Sequence, residues 1–272
     1  MKVHHLNCGT LRPVGGKLVD GRPGVFRTAE LVCHVLLLER EDGLVLVDTG
    51  MGLEDVRTPS RTLARHWRLM SRPVLDERET ALRQVEALGY RASDVRDIVL
   101  THLDLDHGGG LRDFPEARVH VLAEELAVAT RAGKTGNDRT RYPDAQWAHK
   151  PRWVTYEDSG ESWFGFDGVR EVLAGVLFVP LFGHTHGHSG VAVDTGSGWL
   201  LHAGDAYFHH RETGPDAYCP PALRFLQKRM EVLPELRLSN QDRLRALVGA
   251  HGAEVDVFNA HDLENFRRFR TS

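Results

Sequence analysis

The sequence predicts an α/β protein in which sheets pack together and helices lie outside them. Three observations carry that expectation. Short apolar runs rich in Val, Leu and Ile recur along the chain, helical patterns fall between them, and no Pro/Gly/Ser tract or repeat divides the chain. Runs of this kind read as strands.

Eight runs read as strands: Val32–Leu38, Leu44–Asp48, Asp97–Thr101, Arg118–Leu122, Val176–Leu181, Gly190–Asp194, Trp199–His202 and Val255–Asn259. Helical spacing marks Asp76–Leu88, where Ala81, Leu82, Val85 and Leu88 share a face, and also Ala123–Arg131, Ala222–Leu233, Asn240–Gly249 and the tail His261–Arg270. Gly50–Pro73, Gly133–Trp153 and Phe208–Pro221 read as long loops, rich in arginine and carrying Trp67, Tyr142, Trp147, Trp153 and Tyr218. Such a loop suits either a binding rim or solvated surface. The expectation is one domain over residues 1–272.

Composition narrows the function. The 272 residues are 41% apolar and 26% charged, ordinary for a globular chain, and the net charge of −4 gives no pull towards nucleic acid or an anionic membrane. No apolar run approaches the roughly 20 residues that span a bilayer. The opening MKVHHLNCGT lacks the apolar core of a signal peptide. Cys8, Cys33 and Cys219 are odd in number and far apart, so neither a disulfide framework nor a thiolate zinc site is indicated, and the expected setting is the cytoplasm. Cys8 and Cys33 read as core thiols. The unusual count is 16 histidines, several beside Gly or Asp.

The chemistry concentrates after the third strand, in Thr101-His-Leu-Asp-Leu-Asp-His107 followed by Gly108-Gly-Gly110. Four candidate ligands, His102, Asp104, Asp106 and His107, lie within six positions. Alternate residues of an extended chain project to one side, and the glycines let the backbone bend closely around what is bound. Two Asp and two His buried together without a cation would be costly. The competing reading is a solvated acidic turn with Asp106 capping a helix.

These residues resemble the metal-binding signature of the metallo-β-lactamase superfamily. Later elements follow in order: Leu46-Val-Asp-Thr-Gly50, Gly183-His-Thr-His-Gly-His188, Ala203-Gly-Asp-Ala206 and His261-Asp262. The resemblance implies an αββα sandwich, two facing mixed sheets with helices on both outer sides and the site at one sheet edge. It implies two divalent metal ions: one on His102, Asp104 and His184, the other on Asp106, His107 and His261, with Asp205 bridging. Asp48 would orient a ligand histidine, while His186 and His188 would shape their turn. His202, His209 and His210 flank Asp205, so their place is either beside the ligands or in the surrounding fold. Zn²⁺ follows from the resemblance. Position 104, usually histidine in this pattern, is aspartate here, and a third carboxylate moves preference towards Fe or Mn. Counted with a bridging hydroxide, three aspartates cancel two divalent ions, so Asp104 should weaken the metals as Lewis acids.

Within the superfamily the chain is most similar to N-acyl-homoserine lactonase-like metallohydrolases, which implies a hydrolase acting on a small ester or lactone. Asp106 and Asp205 would carry protons, and Tyr207 would stabilise the developing oxyanion. In that group the tyrosine lies three residues after the aspartate, whereas here it lies two after. A glyoxalase-II-like thioesterase and a di-iron oxidoreductase of flavodiiron type with a separate electron donor are the alternatives. The expected partner is a small molecule, anionic or amphiphilic if Arg57, Arg61, Arg65, Arg68 and Arg72, or Arg139, Arg141, Lys150 and Arg152, line the mouth. Nucleic acid and membrane are not expected, and a homodimer is compatible with the sequence.

Overall fold

The computed structural model describes residues 1–134 and 136–270. Thr135, Thr271 and Ser272 lie outside the described residues. Two six-stranded mixed sheets form the centre. The first contains β1 (Lys2–Leu11), β2 (Leu31–Arg40), β3 (Gly43–Val47), β4 (Val95–Val99), β5 (Arg118–Leu122) and β6 (Arg152–Tyr156), side by side in chain order. The second contains β7 (Glu161–Trp163), β8 (Phe166–Leu173), β9 (Val176–Pro180), β10 (Ser189–Asp194), β11 (Trp199–His202) and β12 (Val255–Phe258), again in chain order.

Side-chain alternation divides each strand between two apolar layers. Leu36, Leu38, Val45, Val47 and Val99 meet Val176, Phe178, Val191, Val193 and Phe258 between the sheets. Their neighbours Leu37, Leu44, Leu46 and Ile98 face outward onto Ala81, Val85 and Val128 of covering helices. On the other side Val179, Leu181, Leu201 and Val257 pack with Leu244 and Leu247 of the helix Pro234–His251. Helix, sheet, sheet and helix therefore stack in four layers, as the resemblance implies. Burial on both faces explains why these strands read as continuous apolar runs.

All eight expected strands are present, but β1, β6, β7 and β8 fall outside the expected set. The patterns of β6 and β8 are weak: the first reads RWVTY and the second FDGVREVL, half-exposed sequences with charges on the open face. The stretch Gly50–Pro73 is no open loop, since it holds the helices Leu53–Arg57, Pro59–Thr62 and Arg65–Ser71. Gly133–Trp153 likewise contains the helix Gly136–Arg141 and a 3₁₀ turn at Asp144–Trp147. Asp76–Leu88 is split at Thr80, whose side chain caps the helix Ala81–Ala87 by accepting from the Arg83 N–H. No described helix is long and apolar enough to cross a membrane.

The site is positioned by strand direction. β3 runs parallel to β4, and β11 parallel to β12, so the carboxyl ends of each pair lie together. Backbone bonds then tie the two sheets at that edge: Ser189 N–H donates to Thr101 O at 2.9 Å and His34 N–H to Ala260 O at 2.8 Å. Gly204, between the β11 end and Asp205, has φ +53°, and a Cβ there would come within 2.6 Å of His188 Nε2. That turn needs glycine.

Away from the site, buried Asp97 on β4 accepts from Arg118 and His120 of β5. Burial raises its pKa, but His120 and Arg118 outweigh it and hold the carboxyl at about 2. A depressed carboxyl stabilises the fold above its unfolded pKa of 3.8, and that contribution is lost as pH falls through about 2. Asp97→Asn should lower unfolding stability at neutral pH by about 1–3 kcal/mol. Urea titrations should show the difference shrinking between pH 4 and 2; a constant difference would contradict the assignment.

Candidate metal centre

Each sheet edge delivers part of one cluster. β4 leads into His102, Asp104, Asp106 and His107, the β9–β10 turn supplies His184, β11 leads to Asp205, and β12 leads to His261. Ligand atoms of His102, Asp104, His184 and Asp205 lie within 4.8 Å of one another, as do those of His107, Asp205 and His261. Asp205 belongs to both groups. Its Oδ2 stands 3.4 Å from His184 Nε2 and 3.9 Å from His102 Nε2. Its Oδ1 stands 3.3 Å from His107 Nε2 and 3.2 Å from His261 Nε2. Asp106 Oδ2 lies 3.7 Å from His261 Nε2.

These separations fit a bound cation. Donor atoms about 2.0–2.2 Å from one ion at tetrahedral angles stand about 3.3–3.6 Å apart. The buried His102 Nε2, His107 Nε2 and Asp205 Oδ1 have no hydrogen-bond partner, an arrangement that is expensive unless something else engages them. The cluster also demands positive charge. Burial opposes protonation of His107 and His261, yet Asp205 beside each pulls both well above the ordinary histidine range. Burial raises Asp205, but His261 and His107 outweigh it and hold its carboxyl well below the usual range.

Three histidines of the cluster have their orientation fixed from behind. His107 Nδ1 donates to Asp48 Oδ2 at 2.8 Å, and His261 Nδ1 to Val32 O at 2.7 Å. The Thr101 hydroxyl donates to Asp48 and accepts from His102 Nδ1 at 3.0 Å. With the proton on Nδ1, each Nε2 turns its lone pair to the cluster. Asp48 thus takes the orienting place expected of it. His188 accepts from Asp205 N–H and donates to Leu181 O, shaping the turn as expected. His202 Nδ1 accepts from Gly204 N–H, so it braces the loop behind Asp205. His209 and His210 form a separate group with Asp262.

Four contributions were not read from the sequence in their roles. Glu125, 0% exposed, accepts from Leu103 N–H and Gly187 N–H, so one carboxylate holds both ligand loops. Cys33, expected to be a core thiol, is buried but lies within 4.8 Å of Asp106 and His261 ligand atoms. Phe208 stacks its edge near His184 and His261. Arg141, one of the loop arginines, reaches the ligands themselves: Nε donates to Asp104 Oδ1 at 2.5 Å and Nη2 to Asp104 Oδ2 at 2.6 Å. Burial raises Asp104, but Arg141 and His102 hold its carboxyl well below the usual range. The sequence count of Asp104 as an uncompensated third carboxylate is therefore corrected, because Arg141 returns one positive charge to the same place. No local pattern marks Arg141, which is 37 residues from Asp104. Other loop arginines are engaged elsewhere: Arg57 pairs with Glu77, and Arg152 donates to Glu116 O.

The structure does not group Tyr207 with the ligands. Its ring is 0% exposed in the layer with Leu244 and Val257, and its hydroxyl sits among Asp262, Thr213 and Glu212. The side chain two positions after Asp205 packs in the sheet–helix layer with Leu244 and Val257.

A model of the metallo-β-lactamase superfamily matches residues 28–251. The chain belongs to the metallo-β-lactamase superfamily. The superfamily match stops before His261, which β12 brings to the cluster. A probable metallo-hydrolase of Mycobacterium tuberculosis is similar at 43% identity over 274 residues, covering 99% of this chain and 83% of that protein. The N-acyl homoserine lactonase AiiA of Bacillus thuringiensis subsp. kurstaki is 27% identical over 250 residues, 91% of this chain and 87% of that one. A solved structure of B. thuringiensis AiiA with N-decanoyl-L-homoserine bound at its active site has a TM-score of 0.71 at 22% identity, covering 98% of this chain and 95% of that one. At that identity the likeness shows the superfamily fold.

Replacing the carboxylate behind His107 should loosen any metal held there. Asp48→Asn is expected to weaken metal retention by about 10–100-fold. Competition against a chromophoric chelator measures this; unchanged affinity would remove Asp48 from the orienting role.

Proposed function

We propose that the chain is a metal-dependent hydrolase that opens a lactone or cleaves a small ester at a two-metal centre. The observation that carries the reading is Asp205, with one oxygen facing His102 and His184 and the other facing His107 and His261. The first ion would be held by His102, Asp104, His184 and Asp205, and the second by Asp106, His107, His261 and Asp205. Zn²⁺ suits the four histidines, while Asp104 hardens the set towards Fe or Mn. When bound, the metal pair supplies a hydroxide nucleophile at neutral pH and polarises the carbonyl under attack.

The chain's own groups do the rest. Asp205 fixes the spacing of the two halves, and Asp106 accepts the nucleophile's proton. Burial pushes the Asp106 carboxyl above its ordinary range, which suits a group that takes a proton and returns it to the leaving oxygen. Beside the candidate ligands, Phe208 and Cys33 continue into a buried apolar layer of Leu11, Val19, Leu31 and Leu223 that backs this side of the centre. The similar AiiA protein is an N-acyl homoserine lactonase, an activity of this chemical class.

The test is a panel of acyl-homoserine lactones, aryl esters, glutathione thioesters and phosphodiesters, run with metal-loaded protein under air and under argon. Lactone or ester turnover is expected without flavin, dioxygen or nucleotide. His107→Ala and His261→Ala should each lose one metal and lower turnover on the order of a hundredfold or more. Turnover confined to thioesters or phosphodiesters would refute the choice of bond. A silent panel with dioxygen consumed by the iron-loaded protein and an added donor would refute the hydrolase.

A further inference from the structure

Arg141 is seated more completely than a surface arginine. Besides the two bonds to Asp104, Nη2 meets His184 Nε2 at 2.6 Å. Nη1 donates to His184 O at 3.2 Å and to Met230 O at 2.9 Å. A guanidinium has five N–H donors, and these five contacts use them all. The side chain is 10% exposed and lies at the end of the helix Gly136–Arg141, so the seat is built from that helix, the His184 turn and the end of the helix Pro221–Met230.

The contact with His184 sets a condition on the metal. His184 Nε2 lies 2.6 Å from Arg141 Nη2 and 3.1 Å from Asp104 Oδ2, so the guanidinium and the carboxylate both stand at the ring nitrogen that would face a metal. A metal ion bound about 2.0–2.1 Å from Nε2 would need the place that Arg141 Nη2 takes at 2.6 Å. Asp104 differs, because a carboxylate has about four lone-pair positions and can serve a guanidinium and a cation together. The two halves of the centre are therefore unlike. His102 Nε2 and His107 Nε2 face the cluster without a hydrogen-bond partner, whereas His184 Nε2 is engaged by a fixed positive charge.

We propose that Arg141 competes with the metal of the His102–Asp104–His184 half for His184 Nε2. That half then loads only when the guanidinium withdraws from the histidine, keeping its hold on Asp104. Arg141 is a positioning residue: it keeps Asp104 and His184 paired with a cation at all times and makes the first half weaker and slower to fill than the second. The inference rests on the two-metal reading above and deepens it. It also supplies a role for aspartate at position 104, since a histidine there would give the guanidinium no carboxylate to hold.

Single-site proteins separate the two halves. His261→Ala leaves the first half, and His184→Ala leaves the second. Zn²⁺ and Mn²⁺ affinities of each, with and without Arg141→Gln, are read by chelator competition, with thermal unfolding as a check on folding. Removing one charge-assisted bond from the competing arrangement should tighten the first half by about tenfold or more. The second half should change by less than about threefold on the same scale. Arg141→Lys keeps the charge but lacks the fork, so it should tighten the first half by a smaller factor and carries the test if Arg141→Gln does not fold. Equal changes in both halves, or a first half left unchanged or weakened while both ions still bind, would overturn the inference and leave the hydrolase reading standing. Absence of metal from every variant would overturn both.

Discussion

Asp205 is buried at 5% exposure, and its two oxygens face four histidines delivered by three separate chain segments. A carboxylate in that position is costly unless cations or donors surround it. Much of the local architecture satisfies that one requirement. Gly204 allows the turn that presents the group, His188 holds its backbone, and His202 braces the residue before it. The parallel pairs β3–β4 and β11–β12 then bring the remaining ligands to the same edge.

Support from behind the ligands is as extensive as the ligand set. Asp48 and Thr101 form a short buried chain that fixes both His107 and His102, while Val32 O fixes His261 from the neighbouring sheet strand. Glu125 ties the loop of His102 to the loop of His184. These contacts cross from one sheet to the other, so the centre's geometry depends on how the sheets face each other. Arg141 adds a second kind of control, since it neutralises the extra carboxylate and engages one ligand nitrogen at once.

The legible parts of the sequence were those with local signals. Strands β2 and β3 are buried on both faces, so their runs are almost wholly apolar, and the ligand motif sits in seven consecutive residues after β4. Asp205, His184 and His261 came from short motifs read in order by resemblance. What escaped was either half-exposed or non-local. β8 carries Asp167, Arg170 and Glu171 exposed, and charges at consecutive positions hide its period. Glu125 looked like an ordinary acidic residue in the first turn of a helix, and its partners are 22 and 62 residues away. Arg141 looked like one loop arginine among several. Tyr207 was placed by analogy of spacing, whereas its ring packs in the layer with Leu244 and Val257.

Anomalous diffraction from crystals of the metal-loaded protein tests the central claim most directly, because it locates each ion without reference to activity. The account predicts two peaks roughly 3.5–4 Å apart on either side of the Asp205 carboxylate. One peak should lie among His102, Asp104 and His184, the other among Asp106, His107 and His261. A single peak away from Asp205, or two peaks not shared by its oxygens, would contradict it.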